Sequence, residues 1–241
     1  MPPSRFTPQE EENLVLKAAA ECIEAKSLIA FTMSDISKAS GLSMGSVYKH
    51  VQSKEDVLVA LVAKSMKHMH AVFEEFFAKD LSAPEQMIGS VLWTPDKLYL
   101  HPFGVHMEMM VHNDAVLAKA SPRWLDTIAR IDLSMEALFV KAIEKAIDDG
   151  ELTVASSERA KVTEELMVGV WSLYVGFVQV AYQRGSRAPH QDAIQLPFPL
   201  PLDHALVCAA RRLINSYSWK VPLDDKSIER VSGVMTEMGY R

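Results

Sequence analysis

Residues 43–50, SMGSVYKH, bring hydroxyl, amine and imidazole groups together within two helical turns. Val47 is the only branched aliphatic side chain among them, so a helix formed by this stretch buries Val47 and turns its polar groups outward. Such groups can donate hydrogen bonds to phosphates and can pair with the edges of bases. The residues predicted to point outward are Ser43, Met44, Ser46, Lys49 and His50.

The residues before this stretch predict a helix and a tight turn that hold it in place. Thr32–Asp35 forms a capping box, a pattern typical of a helix start, and Ile36 and Ala39 then face inward. Gly41 supplies the positive φ that a tight turn requires. This is the spacing of a helix-turn-helix, which mounts a polar helix rigidly enough to enter the major groove of DNA.

Helix signals continue along the chain, while no strand pattern or internal repeat is visible, so the predicted fold class is all-α. Capping boxes begin at Thr7, Thr32 and Ser53, Pro122 suits a helix start, and Gly150 suits a helix stop. The longer helices after the helix-turn-helix are predicted to span about residues 54–79, 122–149, 157–184 and 203–219, and residues 224–239 are predicted to form a last short helix.

Composition indicates a folded chain in a reducing compartment. Hydrophobic residues make up 49% of the 241 residues, and the formal net charge is −6. Residues 26–54 nevertheless contain four lysines and one aspartate, a local net charge of +3. Cys22 and Cys208 lie too far apart in sequence for a C-x-x-C motif, so neither a zinc site nor a disulfide framework is indicated. We expect a cytoplasmic protein.

Residues 166–183 form a stretch of 18 residues without a charged side chain. This length is close to the shortest that spans a membrane. Glycine, serine and glutamine interrupt this stretch, and no second segment resembles it. We therefore interpret it as a fully buried helix of a protein that does not enter a membrane.

Residues 8–62 resemble the DNA-binding domain of TetR-family transcriptional regulators. The resemblance is carried by Gly41, Tyr48, His50 and the triplet Ser53-Lys54-Glu55. The family usually has alanine where Ser37 stands, phenylalanine where Val51 stands, and a glycine within the segment here occupied by residues 25–31, AKSLIAF.

The resemblance implies two domains and a set of DNA contacts. Residues 1–56 would form the helix-turn-helix domain, continuing into the long helix 54–79, and residues 57–241 a helical domain for ligand binding and dimerisation. For Thr32 and Ser53, capping alone is an equally good interpretation. The predicted DNA-binding residues are Thr32, Ser43, Met44, Ser46, Tyr48, Lys49, His50 and Lys54.

In such a regulator the helices 157–184 and 203–219 would form a four-helix interface with a second copy. The resulting homodimer would bind a palindromic operator with half-sites about 34–36 Å, or a multiple of that, apart. The alternative is that both helices belong to the core of a monomer. The residues predicted for close helix approach are Gly169, Ser172 and Gly176.

The resemblance also implies an effector cavity, and soft, aromatic side chains suit a hydrophobic or aromatic small molecule. The predicted function is that of a repressor released by this effector, with no cofactor. The predicted ligand-binding residues are Trp93, Phe103, His106, Met107, Met110, Trp171, Tyr174 and Phe177.

Other functions have weaker support in the sequence. His101, His106, Glu108 and His112 lie within twelve residues, but only two of them share a helical face, so we expect no metal site. No nucleophile motif, phosphate-binding loop or paired carboxylates indicate an enzyme. A protein-interaction adaptor that has kept the fold without binding DNA is the principal alternative; it would lack the salt-dependent duplex binding of a regulator.

Overall fold

The structure is a computed structural model that describes residues 6–185 and 198–241. Its described elements are α-helices and one short 3-10 helix, Ser156–Glu158, which confirms the predicted fold class. Among the described residues the only strand-like pairing is one antiparallel bridge between Leu152 and Trp219. The helices are α1 (Pro8–Lys26), α2 (Met33–Ser40), α3 (Met44–His50), α4 (Lys54–Phe77), α5 (Ala83–Gly89), α6 (Pro95–Leu98), α7 (Gly104–Val111), α8 (Asp114–Leu117), α9 (Pro122–Asp148), α10 (Arg159–Gly185), α11 (Ala205–Asn215) and α12 (Asp225–Glu237).

The chain divides into two compact units. The first contains residues 6–70 together with Tyr99–Leu133, and the second contains Ala71–Leu98 together with residues 134–185 and 198–241. This division differs from a simple separation near residue 56, because the segment with α7, α8 and the beginning of α9 packs with the N-terminal helices. The helices α4 and α9 each contribute to both units.

In the first unit, α1, α2 and α3 pack on one another as a three-helix domain. The capping boxes predicted at Thr7 and Thr32 both form, because each threonine accepts the backbone N–H three residues later while the acidic side chain there accepts the threonine N–H. Val15, Ile36 and Val47 are fully buried where the three helices meet. The predicted helix-turn-helix arrangement is therefore present.

Ser27 ends α1 in a backbone conformation that side chains rarely adopt. Its φ of 130° and ψ of 168° lie in a region populated almost only by glycine. Its N–H donates to the carbonyl of Ile23 at 2.8 Å, which closes the last turn of the helix. Ser27 falls within the segment where the resemblance led us to expect a glycine, so a strained serine ends α1 in this chain.

The start of α4 differs from the predicted capping box. Ser53 Oγ accepts the N–H of Asp56 at 2.9 Å, as expected. The Asp56 carboxylate, however, does not return to Ser53, because it accepts the N–H groups of Gln52 and Ser121, both at 2.8 Å. The reciprocal half of the box was therefore predicted wrongly, and the carboxylate instead joins two segments distant in sequence.

In the second unit, an aromatic cluster surrounds Trp93, which stacks on Phe73 at 5.0 Å and contacts Phe76 and Tyr240 edge-on at 5.3 and 6.0 Å between centroids. The last helices pack against α5 and α10. The helix α11 ends at Asn215, four residues before the predicted end. The chain turns there because the indole N–H of Trp219 donates to the carbonyl of Ile214 at 2.8 Å.

The helix α10 is only partly covered, although the sequence predicted a fully buried helix. Of its apolar side chains, Trp171 is 56% exposed, Val175 48% and Val180 50%. By length and composition alone, Ser156–Gly185 could cross a membrane, with 22% of its apolar window buried. One such helix is weak support for a membrane protein. The prediction of full burial is wrong for a single chain, because α11 covers only one side of the helix.

Candidate nucleic-acid interface

The helix α3 is short and firmly mounted. Ser43 caps it by accepting the N–H of Ser46 at 3.1 Å, and Val47 and Val51 are fully buried beneath it. The turn that precedes it reverses at Gly41, whose φ of 69° is left-handed. Ser37 Oγ donates to the carbonyl of Leu42 at 2.8 Å, a bond that the alanine usual at this position could not make.

One face of α3 is open. Met44 is 36% exposed and Tyr48 45% exposed, while Ser43 and Lys49 are also exposed and Ser46 is half-buried. These five predicted DNA-binding residues therefore share an accessible surface. The face combines hydroxyl groups, an ammonium group and a methyl-bearing side chain, which can contact phosphates, base edges and thymine methyl groups respectively.

His50 was predicted to point outward, and this orientation is wrong. The side chain is 8% exposed, and its Nε2 lies 3.4 Å from Glu11 Oε2. Because His50 is the last residue of α3, it lies against α1, and sequence periodicity within a seven-residue helix does not reveal that neighbour. Its main contribution is to attach the end of α3 to α1.

Thr32 has the geometry of a cap. Its hydroxyl donates to Asp35 Oδ2 at 2.7 Å and accepts the N–H of Asp35 at 3.2 Å. Lys26 Nζ lies 2.7 Å from the same carboxylate. Hydrogen bonds from Lys26 and then Thr32 lower the pKa of Asp35 to about 2, so this carboxylate is ionised at neutral pH. The hydroxyl of Thr32 has already donated its proton within the protein, which favours the capping interpretation.

Lys54 already has partners within its own domain. Its Nζ donates to the carbonyl of Ile29 at 2.8 Å and lies 4.9 Å from the centroid of the Phe31 ring. An ammonium group has three N–H donors, so two donors remain for a phosphate. Because Lys26 pairs with Asp35, the local positive charge on this domain is provided by the exposed Lys38 and Lys49 together with Lys54.

Sequence reasoning missed the attachment of α9 to this domain. Trp124 is 5% exposed, and its Nε1 donates to the carbonyl of His50 at 3.1 Å. Beside it, the guanidinium of Arg123 pairs with Glu12, which is buried. The carboxylates of Glu12 and Asp56 require these partners because they are buried, and their burial is visible only in the structure. Their partners lie too far away in sequence to be identified from spacing.

The predicted ligand-binding residues are divided between the two units. In the first, Met107 is fully buried, Met110 is half-buried, and Phe103 stacks on His101 with centroids 5.1 Å apart. His106 is exposed, and its role in ligand binding stays a prediction.

The neighbouring Glu108 accepts a hydrogen bond from Tyr99, and burial raises the pKa of Glu108 above its ordinary value. Within the described segments no group of three or more side chains is placed to hold a metal ion.

In the second unit, Trp93 is 2% exposed at the centre of the aromatic cluster. Phe177 contacts the ring of His204 at 5.1 Å, and Tyr174 is half-buried. Trp171 is 56% exposed, so the described residues do not enclose it, and its role in ligand binding stays a prediction.

The three residues predicted for close helix approach also differ among themselves. A Cβ on Gly169 would lie 2.9 Å from Leu213 Cδ2, so Gly169 already provides close packing between α10 and α11 of the same chain. Its assignment to an interface with a second copy is therefore corrected. Ser172 is exposed, and a Cβ on Gly176 would meet no atom within 4 Å. Ser172 and Gly176 therefore remain predicted positions for an interface with a second copy.

Comparison with known proteins agrees with this geometry. Residues 15–61, which contain most of α1, all of α2 and α3 and the first turns of α4, match the family described as "Bacterial regulatory proteins, tetR family". No curated protein sequence matches the chain.

Three solved structures share the fold of the chain. A TetR/AcrR-family transcriptional regulator from Thermobifida fusca YX-ER1 is 19% identical, with 87% of this chain and 99% of that one covered and a TM-score of 0.57. A putative TetR-family regulator from Mesorhizobium loti MAFF303099 is 11% identical, with 89% and 100% covered and a TM-score of 0.58. GusR from Salmonella enterica is 16% identical, with 88% and 97% covered and a TM-score of 0.51.

At these identities the solved structures establish the fold, while the family match is confined to the three-helix domain and the start of α4. In that domain α3 has an exposed polar face and is held to the core by the buried Val47, which is the arrangement that the family resemblance implied. Residues 15–61 are therefore similar to the tetR family of bacterial regulatory proteins, and most of the chain has the fold of the solved regulator structures.

Proposed function

We propose that this protein is a TetR-family transcriptional regulator, a cytoplasmic repressor that binds a palindromic operator as a homodimer and is released by a small hydrophobic effector. The observation that carries the proposal is the exposed face of α3. Its polar side chains are open to solvent, while Val47 of the same helix is fully buried. A rigidly mounted helix with such a face fits the major groove.

Within this interface, Ser46 and Lys49 would contact base edges and Met44 a thymine methyl, while Tyr48 and Lys54 would contact phosphates. Phosphate contacts fix the position of the protein, and base contacts select the sequence. His50 and Thr32 support the interface indirectly, because the first is attached to Glu11 and the second caps α2.

The uncovered side of α10 supports a homodimer. Val168, Trp171 and Val175, at spacing i, i+3 and i+7, are exposed on one face of α10, and Gly176 adds a position without a side chain beside them. Contiguous exposed apolar surface on a folded domain marks an interaction site. A second copy is the natural occupant, because a two-fold axis would present two α3 helices to the two halves of a palindrome.

The effector is proposed to be hydrophobic or aromatic because both units contain soft or aromatic side chains at predicted ligand positions. Trp93 lies among Phe73, Phe76 and Tyr240 in the second unit, and Met107 is buried in the first. An effector releases DNA only by binding the DNA-incompetent conformation more tightly, with a coupling free energy of about 1–3 kcal/mol.

Selection from a random-sequence duplex pool tests this function. The wild-type protein should enrich a palindrome, and its affinity should fall steeply as salt rises, because phosphate contacts release counterions. A screen of aromatic and aliphatic small molecules should then find compounds that weaken binding to the selected duplex. Enrichment of no sequence, with no salt-dependent duplex binding, would favour the adaptor instead.

A further inference from the structure

Four donors in the residues leading into α9 and in its first turn bond to the helix-turn-helix domain, all within the first unit. The contacts join an ammonium, a backbone N–H, a guanidinium and an indole to groups on α1, on α4 and at the end of α3. They are Lys119 Nζ with Glu55 Oε1 at 2.7 Å, the Ser121 N–H with Asp56 Oδ1 at 2.8 Å, Arg123 with Glu12, and Trp124 Nε1 with the carbonyl of His50 at 3.1 Å.

The bond from Trp124 is placed where the recognition helix ends. The last four carbonyl groups of an α-helix have no partner within the helix. His50 is the last residue of α3, and its carbonyl is one of those four. The buried indole of Trp124 supplies the missing donor, so the C-terminal end of α3 is fixed to α9.

Asp56 adds a second attachment close by. Its carboxylate is fully buried and accepts one N–H from Gln52, in the turn after α3, and one from Ser121, just before α9. The turn and the start of α9 are therefore held by one carboxylate. With Trp124, this makes the exit of α3 the point at which the recognition helix is joined to the segment Tyr99–Leu133.

We propose that Trp124 is a positioning residue for DNA binding, which acts by holding the end of α3 so that the exposed face meets the duplex in one orientation. This rests on the proposed contact between α3 and DNA. Without the indole donor, the end of α3 would fluctuate, and binding would have to order it again. That ordering would cost free energy on binding, and the affinity for DNA would be lower.

The variants W124F and W219F provide a matched test in the full-length protein. Each removes one buried indole N–H that donates to a carbonyl near a helix end, at His50 of α3 in one case and at Ile214 of α11 in the other. A net hydrogen bond of about 1 kcal/mol corresponds to roughly a fivefold change in an equilibrium constant. We expect W124F to bind the selected duplex about five- to tenfold more weakly, and W219F to bind within about twofold of wild type.

Thermal unfolding and amide hydrogen exchange separate positioning from general destabilisation. Both variants should lose similar thermal stability, since each loses one similar bond. Only W124F should speed exchange of the Val51 N–H, which donates to the carbonyl of Val47 at 3.1 Å in the last turn of α3. Equal losses of affinity in the two variants, or wild-type affinity in W124F, would overturn the inference.

The outcome remains interpretable in two further cases. If wild-type protein enriches no duplex, the proposed DNA contact itself fails, and W124F loses its proposed role with it. If W124F does not fold, the double variant E12M/R123M breaks the adjacent attachment without leaving a buried charge unpaired. It should weaken duplex binding at least about threefold while remaining folded, and unchanged affinity would reject the positioning role.

Discussion

Replacing Gly176 by leucine would separate the folding of one chain from its proposed assembly. A Cβ at position 176 meets no atom within 4 Å, whereas one at position 169 lies 2.9 Å from Leu213. Leucine also favours a helix over glycine by about 0.8–1 kcal/mol. We therefore expect the G176L chain to fold with a free energy of unfolding equal to that of wild type, or up to about 1 kcal/mol larger.

In contrast, the same substitution should weaken the proposed dimer. If two copies pack closely at Gly176, leucine overfills the contact at two symmetric positions, at a cost of about 1–3 kcal/mol each. The total of about 2–6 kcal/mol corresponds to dimer dissociation constants roughly 30-fold to 10⁴-fold larger. G176L should therefore be a folded protein that dimerises weakly and binds the operator weakly.

Sedimentation velocity over a range of concentrations measures the dimer dissociation constant, and denaturant unfolding measures the fold. G169L is the matched control, because its added side chain meets Leu213 of the same chain and should lower the unfolding free energy. A G176L protein that dimerises with the wild-type constant would show that the interface lies elsewhere. The reasoning about α10 would then be wrong.

Four further substitutions have definite expected outcomes. S27G should raise the free energy of unfolding by about 1 kcal/mol, since strain of about 1–3 kcal/mol exceeds the entropic cost of glycine; unchanged or lower stability in chemical denaturation would contradict this. K54A should weaken binding to all duplexes about equally, whereas K49A should change the preferred bases by about 1–3 kcal/mol in a selection experiment; the reverse pattern would invert the proposed orientation of α3. The pKa of Asp35 is lowered from 3.8 to about 2, so its contribution to stability is present above pH 4 and is lost as pH falls through 2; acid unfolding of D35N should lack this component.

The helices could be predicted because their signals are local. Capping at Thr7 and Thr32 depends on residues three positions apart, and the turn at Gly41 depends on one residue, so sequence spacing contained the necessary information. The exposed face of α3 followed from the single buried Val47. These features required no knowledge of distant neighbours.

The predictions that failed depended on packing between residues far apart in the sequence. His50 is buried because Glu11 of α1 lies beside it. The Asp56 carboxylate accepts the N–H of Ser121, 65 positions later in the chain. Gly169 is covered by α11, whereas Trp171 on the same helix is 56% exposed among the described residues. An apolar side chain has the same pattern in sequence whether it enters a core or a subunit interface, so periodicity could not separate these two outcomes.

Photo-crosslinking from Met44 tests the central claim most directly. A photoreactive residue replacing the exposed Met44 should crosslink to major-groove bases at two positions related by the symmetry of the selected duplex. The same residue replacing Lys17, exposed on α1, should give little crosslinking to bases. Equal base crosslinking from both positions, or none from Met44 under conditions where the protein retains the duplex, would contradict the account that α3 reads DNA.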